Sequence, residues 1–165
     1  MPEEKLPPLK GRIKKIESKH LEKVKKLLRE SREFNRQEKI DYYTSIRHYL
    51  ENPEGIEYQT YLFLDKDDIA GLMSIGKGMG NKTYDLYYIV VSPKYKGRHV
   101  GSQLIDFAEK IFRKNAARIV IIETSSKNEY LPARRLYEKK GYHLSGIVQD
   151  YFDEGDDKII YSKKL

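Results

Sequence analysis

Apolar residues along the chain change their period several times, and each change marks an element. Leu86 to Val91 is an apolar and aromatic run that predicts a buried strand, and Ser92-Pro93 stops it. Leu104, Ile105, Ala108, Ile111 and Phe112 then recur at the spacing of a helix face. Between the two lies a basic, glycine-containing loop with Lys94, Lys96, Gly97, Arg98, His99 and Gly101. A strand, such a turn and an immediate helix start predict an anion site, because unpaired backbone N–H groups and the helix dipole both point into the turn.

The rest of the chain reads in the same way. Gly11 to Ile16 predicts a first edge strand, and Leu21, Val24, Leu27, Leu28 and Phe34 a first amphipathic helix with Ser18 as its cap. Asn35 with Glu38 three residues on predicts the cap of a second helix, faced by Ile40, Tyr43, Ile46, Arg47 and Leu50 and ended by Asn52-Pro53-Glu54-Gly55. From Tyr58 the period becomes two. Tyr58–Leu64 and Ile69–Ile75 form a hairpin about the turn Asp65–Asp68, and Gly76–Gly80 is a flexible turn, since it precedes a strand and lacks the context of a nucleotide fingerprint. Ile119–Ile122, the most apolar run, predicts a central strand buried on both faces. Glu123–Glu129 is a polar loop, Pro132–Lys140 a short helix stopped by Gly141, and Tyr142–Phe152 and Lys158–Lys164 are closing strands about the acidic turn Asp153–Asp157. The order is strand, two helices, three strands, helix, strand, helix, two strands. It predicts one α/β domain over residues 11–165 behind a flexible arm, residues 1–10.

Composition narrows the chemistry. At 165 residues the chain is long enough to bury a core, and it has no cysteine, which removes disulfides, thiolate metal sites and a cysteine nucleophile. The four histidines show no ligand spacing, so no metal site is expected. No apolar run is long enough to span a bilayer and Met1–Lys10 lacks a signal-peptide centre, so the chain reads as soluble, cytoplasmic and not membrane-bound. The net charge of +7, with eleven cations between Lys10 and Arg36, suits a solvated helix face, a polyanionic ligand or nucleic acid. No nucleic-acid motif accompanies it, which makes nucleic acid the least favoured of the three.

Two stretches resemble the GCN5-related N-acetyltransferase (GNAT) family, over most of the chain from about Tyr58 onward. In Lys96-Gly97-Arg98-His99-Val100-Gly101, preceded by Val90-Val91-Ser92-Pro93 and followed by Leu104, the frame is similar to the family's coenzyme motif. Lys96 stands where the family has Gln or Arg, and His99 where it has the first glycine. Ala133–Tyr142, with Leu136-Tyr137-Glu138-Lys139, resembles the family's closing helix; the Asn usual three residues before that Ala is Tyr130 here, and Asn128 lies two positions early.

The resemblance implies a mixed, mostly antiparallel seven-stranded sheet with about four helices, split between the fourth and fifth strands. It implies acetyl coenzyme A as cofactor and direct acetyl transfer to a primary amine of a small molecule, peptide or protein. The diphosphate falls to Lys96, Gly97, Arg98, His99, Val100, Gly101 and Ser102, the pantetheine arm to Ile89, Val90 and Val91, with Asn128 as a further contact. His99 either crowds the diphosphate or donates to it. The N–H of Val91 is the expected donor to the thioester carbonyl, Tyr137 the general acid, and Asp85 or Glu123 the base that takes the amine proton. Tyr42, Tyr43, Tyr49, Tyr87, Tyr88 and Tyr151 border the acceptor side or fill the core. A coenzyme-binding module without transfer, a nucleic-acid-associated protein and a homodimer stay open.

Overall fold

A computed structural model of the chain describes residues 6–53 and 58–165. The elements are β1 (Arg12–Lys15), α1 (Leu21–Glu30), α2 (Arg36–Glu51), β2 (Gln59–Asp65), β3 (Asp68–Lys77), β4 (Thr83–Val91), α3 (Val100–Lys114), β5 (Ile119–Ser125), α4 (Leu131–Lys139), β6 (His143–Asp153) and β7 (Asp156–Lys164). Single 3-10 turns at Ser18–His20, Pro93–Tyr95 and Asn128–Tyr130 precede α1, α3 and α4. The element order follows the period changes of the sequence. The strands form one seven-stranded sheet in the order β1-β2-β3-β4-β5-β7-β6, antiparallel throughout except for the β4–β5 pair.

Each face of this sheet carries its own core. Leu104, Ile105, Ala108 and Phe112 of α3 pack with Leu86, Val120, Ile122 and Tyr161 on one face, joined by Tyr137 of α4. On the other, Val24, Leu27 and Leu28 of α1 and Tyr42 and Ile46 of α2 cover Leu62, Leu72 and Val90 of β2, β3 and β4. The two N-terminal helices therefore cover only part of the second face. Ile119 and Ile121 of β5 are half-buried, not sealed on both sides as the apolar run predicts.

A bulge in β4 decides which residues face which core. Ser74 pairs with Tyr88 and Ile75 with Leu86, so Tyr87 is an extra residue in the ladder. An extra residue shifts the alternation by one. Tyr84 and Leu86 face α3 before the bulge; after it Ile89 and Val91 take that face, while Tyr88 and Val90 turn to α1 and α2. One strand thus presents consecutive residues to both sides just where its neighbour β5 leaves it.

Several boundaries differ from the sequence reading. The first helix stops at Glu30, because Asn35 caps α2 reciprocally with Glu38 and a helix cannot run through an extended cap residue; Phe34 therefore sits in the turn between helices. Glu17, not Ser18, caps the first 3-10 turn, in a reciprocal pair with His20. Gly76 and Lys77 belong to β3. Asp156 and Asp157 belong to β7, and Asp156 is buried against Ser125 and Lys127, so the acidic turn is smaller than the sequence suggests. The expected loose arm is held at its end. Leu9 joins the core, its N–H donates to the Arg98 carbonyl at 2.9 Å, and Arg98 Nε and Gln103 Nε2 donate to the Pro7 and Leu9 carbonyls. Met1–Lys5 and Glu54–Glu57 lie outside the described residues.

Candidate functional site

The β4–β5 ladder runs only from Thr83↔Ile119 to Leu86↔Ile122. Above it β4 continues to Val91, paired only with β3, and β5 to Ser125, paired only with β7. The facing edges, Tyr88–Val91 and Glu123–Ser125, so carry backbone groups with no strand partner across the gap. Strand edges of this kind accept an added extended chain.

At the top of the gap the chain turns into α3. Gly97 (φ 76°) and His99 (φ 60°) are both left-handed, which bends the loop tightly enough for the helix to start directly over it. The first glycine of the family frame is thus a left-handed position that histidine occupies here, with its exposed ring making no capping bond. The N–H groups of Gly97 and His99 have no partner among the described residues, and Val100, Gly101 and Ser102, as first-turn residues, have none a turn behind them. Gly101 is needed for a close approach. A Cβ there would lie 3.0 Å from Leu136 Cδ2 and 3.6 Å from Val91 Cγ2, so the start of α3, the end of β4 and α4 meet at this point.

The cationic side chains of the turn are engaged by protein groups. Lys96 Nζ lies 2.6 Å from Glu33 Oε1, and Arg98 Nε holds the Pro7 carbonyl. Glu33 lies in the turn between α1 and α2 and has no signal in the sequence, since its partner is distant along the chain and the contact exists only once the helices dock. Asn128 is exposed in the 3-10 turn before α4, whose entrance is fixed by Arg134 donating to the Ser125 and Lys127 carbonyls at 2.6 and 2.9 Å.

Tyr137 follows Leu136 on α4 and is 4% exposed, its ring edge-on to Tyr161 at 5.9 Å. Burial, and then the neighbouring Tyr161, push its hydroxyl well above the usual tyrosine range, so it is protonated at neutral pH. Asp85 and Glu123 share the sheet face opposite α3: Asp85 pairs with Ile121, two residues before Glu123. Burial and then the charge of Glu123 raise the Asp85 carboxyl above its ordinary value. Glu123 differs, because Lys158 Nζ sits 2.9 Å from its Oε2 and 3.6 Å from the centre of the Tyr151 ring. Burial disfavours the Lys158 charge, but its bonds to Glu123 and Tyr151 outweigh that and hold it protonated. The Glu123 carboxylate is thus engaged by a cation. Lys158 escapes the sequence reading, since only the β5–β7 register brings it beside Glu123.

The tyrosines divide between wall and core. Tyr42 is sealed, stacked on Tyr88 at 3.8 Å, with its hydroxyl 2.9 Å from Ser74 Oγ. Tyr49, Tyr58 and Tyr87 stack in series at 4.6 and 5.4 Å. Phe34 lies 6.1 Å from Tyr88 and 6.2 Å from Tyr130, near the open end of the gap. Among the described residues no group of three or more His, Cys, Asp and Glu could hold a metal ion, and no helix is long and apolar enough to cross a membrane.

Comparison with curated proteins gives no match. Among solved structures, one described as a GNAT-family acetyltransferase from Desulfovibrio desulfuricans superposes with a TM-score of 0.87 at 25% identity, over 94% of this chain and 99% of that one. A Bacillus subtilis acetyltransferase in complex with CoA gives 0.73 at 21% identity, over 94% and 99%. The paia N-acetyltransferase of Thermoplasma acidophilum, in complex with coenzyme A, gives 0.74 at 17% identity, over 95% and 100%. The model of the Acetyltransferase (GNAT) family matches residues 21–142, from the start of α1 through α4 and its Gly141 stop. With that match lying on this split sheet, the chain belongs to the acetyltransferase (GNAT) family, N-acetyltransferases that draw their acetyl group from acetyl coenzyme A.

Proposed function

We propose that the chain transfers acetyl directly to a primary amine, with acceptor and coenzyme bound together on either side of the β4–β5 gap. The gap itself carries the reading. It sets unpaired strand edges beside a turn of free N–H groups, which fits a coenzyme with an amide-rich arm and a diphosphate. Residues Lys96–Ser102 would hold the diphosphate and Ile89–Val91 the pantetheine amides, with Asn128 at the rim. Bound acetyl coenzyme A supplies the thioester acetyl group.

The chain's own residues then divide the work. Asp85, whose raised affinity for protons suits a base, takes the proton from the incoming ammonium, directly or through one water. The N–H of Val91 donates to the carbonyl oxygen as the amine nitrogen bonds to the acyl carbon. Tyr137, held protonated, gives its proton to the sulfur as the carbon–sulfur bond breaks, and the second proton that the nitrogen sheds on becoming an amide returns through water to the Tyr137 oxygen. With no cysteine in the chain, direct transfer needs no thiol relay.

The test is titration calorimetry with acetyl coenzyme A, followed by thiol release over a panel of polyamines, amino acids, aminoglycosides and peptides. Absence of binding at high micromolar coenzyme rejects the reading. Binding without thiol release for any amine favours the coenzyme-binding module, for which the engagement of Lys96 by Glu33 is the supporting observation.

A further inference from the structure

Lys96 and Tyr130, two of the three positions that depart from the family frame, are both held by the same turn. The Ser31–Asn35 turn joins α1 to α2. Its Glu33 reaches Lys96 on the diphosphate loop after β4 at 2.6 Å, and its Phe34 meets Tyr130, in the 3-10 turn after β5, edge-on at 6.2 Å. Phe34 also lies 6.1 Å from Tyr88 on the far side of the bulge. One short turn therefore spans the open end of the gap, fastened on one side by an ion pair and on the other by aromatic rings.

The two fastenings differ in kind. Glu33 is 23% exposed and also accepts from Ser31 Oγ at 2.7 Å. Burial works against its charge, but the bonds from Lys96 and Ser31 prevail and keep its carboxyl below the ordinary value. Lys96 is 52% exposed, so the pair is solvent-screened and weak. A diphosphate seated on the N–H groups of Gly97–Ser102 brings more than one negative charge next to the same ammonium, and it would also repel the Glu33 carboxylate. The ion pair is then the fastening that coenzyme undoes, and the ring contacts are those the acceptor must pass.

We propose that the Ser31–Asn35 turn is a strap over the acceptor entrance that coenzyme A releases by drawing Lys96 away from Glu33, so that the amine is admitted only to the loaded enzyme. The proposal rests on the reading that the groove takes coenzyme A. Glu33 and Phe34 act here through Lys96 and Tyr130 and are positioning residues.

Hydrogen exchange read by mass spectrometry over Ser31–Asn35, with and without coenzyme A, tests the strap without any turnover. The native chain should exchange faster in this turn once coenzyme A is bound. Glu33→Gln should exchange fast without ligand and bind coenzyme A about two- to five-fold more tightly by calorimetry, since the competing pair is weak. Phe34→Ala, which leaves Lys96 paired, should loosen the turn with unchanged coenzyme affinity. Slower or unchanged exchange in the coenzyme-bound native chain, or unchanged or weaker binding by Glu33→Gln, overturns the strap while leaving the groove assignment intact. Absence of coenzyme A binding by both proteins overturns the two together.

Discussion

Replacing His99 by Gly should stabilise the protein, although it deletes a side chain. His99 is the N-cap of α3 at φ 60° and ψ 21°, and its ring is exposed and makes no capping bond. A left-handed conformation costs an L-residue about 1–2 kcal/mol, with histidine among the more tolerant types, so the lower figure applies. Glycine removes that cost but loses more chain freedom on folding, by about 0.5 kcal/mol. The net gain is about 0.5 kcal/mol, or about 1–2 °C in Tm for a chain of this length. His99→Ala is the control, because it removes the ring yet keeps the Cβ that opposes the left-handed backbone. It should leave Tm unchanged or lower. Differential scanning calorimetry of the three proteins decides the matter: if Ala stabilises as much as Gly, backbone strain is the wrong account. Coenzyme A affinity measured on the same samples should rise in the Gly variant, since the side chain stands on the turn that carries the free N–H groups; a fall would mark the ring as a phosphate donor.

Other expectations follow from the buried groups. Tyr137→Phe should lower kcat by about a hundredfold or more, as loss of a general acid does, with coenzyme affinity unchanged in calorimetry. For Asp85→Asn, kcat should fall and the acid limb of the kcat/KM profile disappear; in the native chain that limb should lie above the ordinary aspartate value of 3.8, because burial and Glu123 raise the carboxyl. Stability should fall as pH drops below 6.5, measured by urea midpoints. Burial, the largest influence, lowers the His20 pKa in the folded state; the neutral ring accepts the Glu17 N–H at 3.0 Å, so the unfolded chain protonates first and is favoured as pH falls.

The order of strands and helices was legible because each element carries its own period. The capping pair of Asn35 and Glu38 and the glycine stop at Gly141 are equally local, and the structure keeps both. Legibility ended where a feature depends on two distant segments. The Tyr87 bulge leaves no mark in an apolar run, since Leu86–Val91 reads as a strand with or without a change of face. Glu33, Lys158 and Arg134 look like ordinary surface charges until docking sets them beside Lys96, Glu123 and the carbonyls after β5. For Lys96, a cation in the right frame was readable, but the carboxylate that occupies it was not.

The fastening of Pro7 and Leu9 to Arg98 and Gln103 has a consequence for how the chain is made. The first of these residues leaves the ribosome long before its partners, which stand 91 and 94 positions later. Contacts over such separations close late in folding, after the intervening loop entropy has been overcome. The loop that bears the free N–H groups is therefore braced among the last parts of the molecule. A chain shortened by proteolysis so that it lacks Leu9 would still complete the core under α1 and α2, but would lose Leu9 from the core under α3 and leave the turn of free N–H groups unbraced.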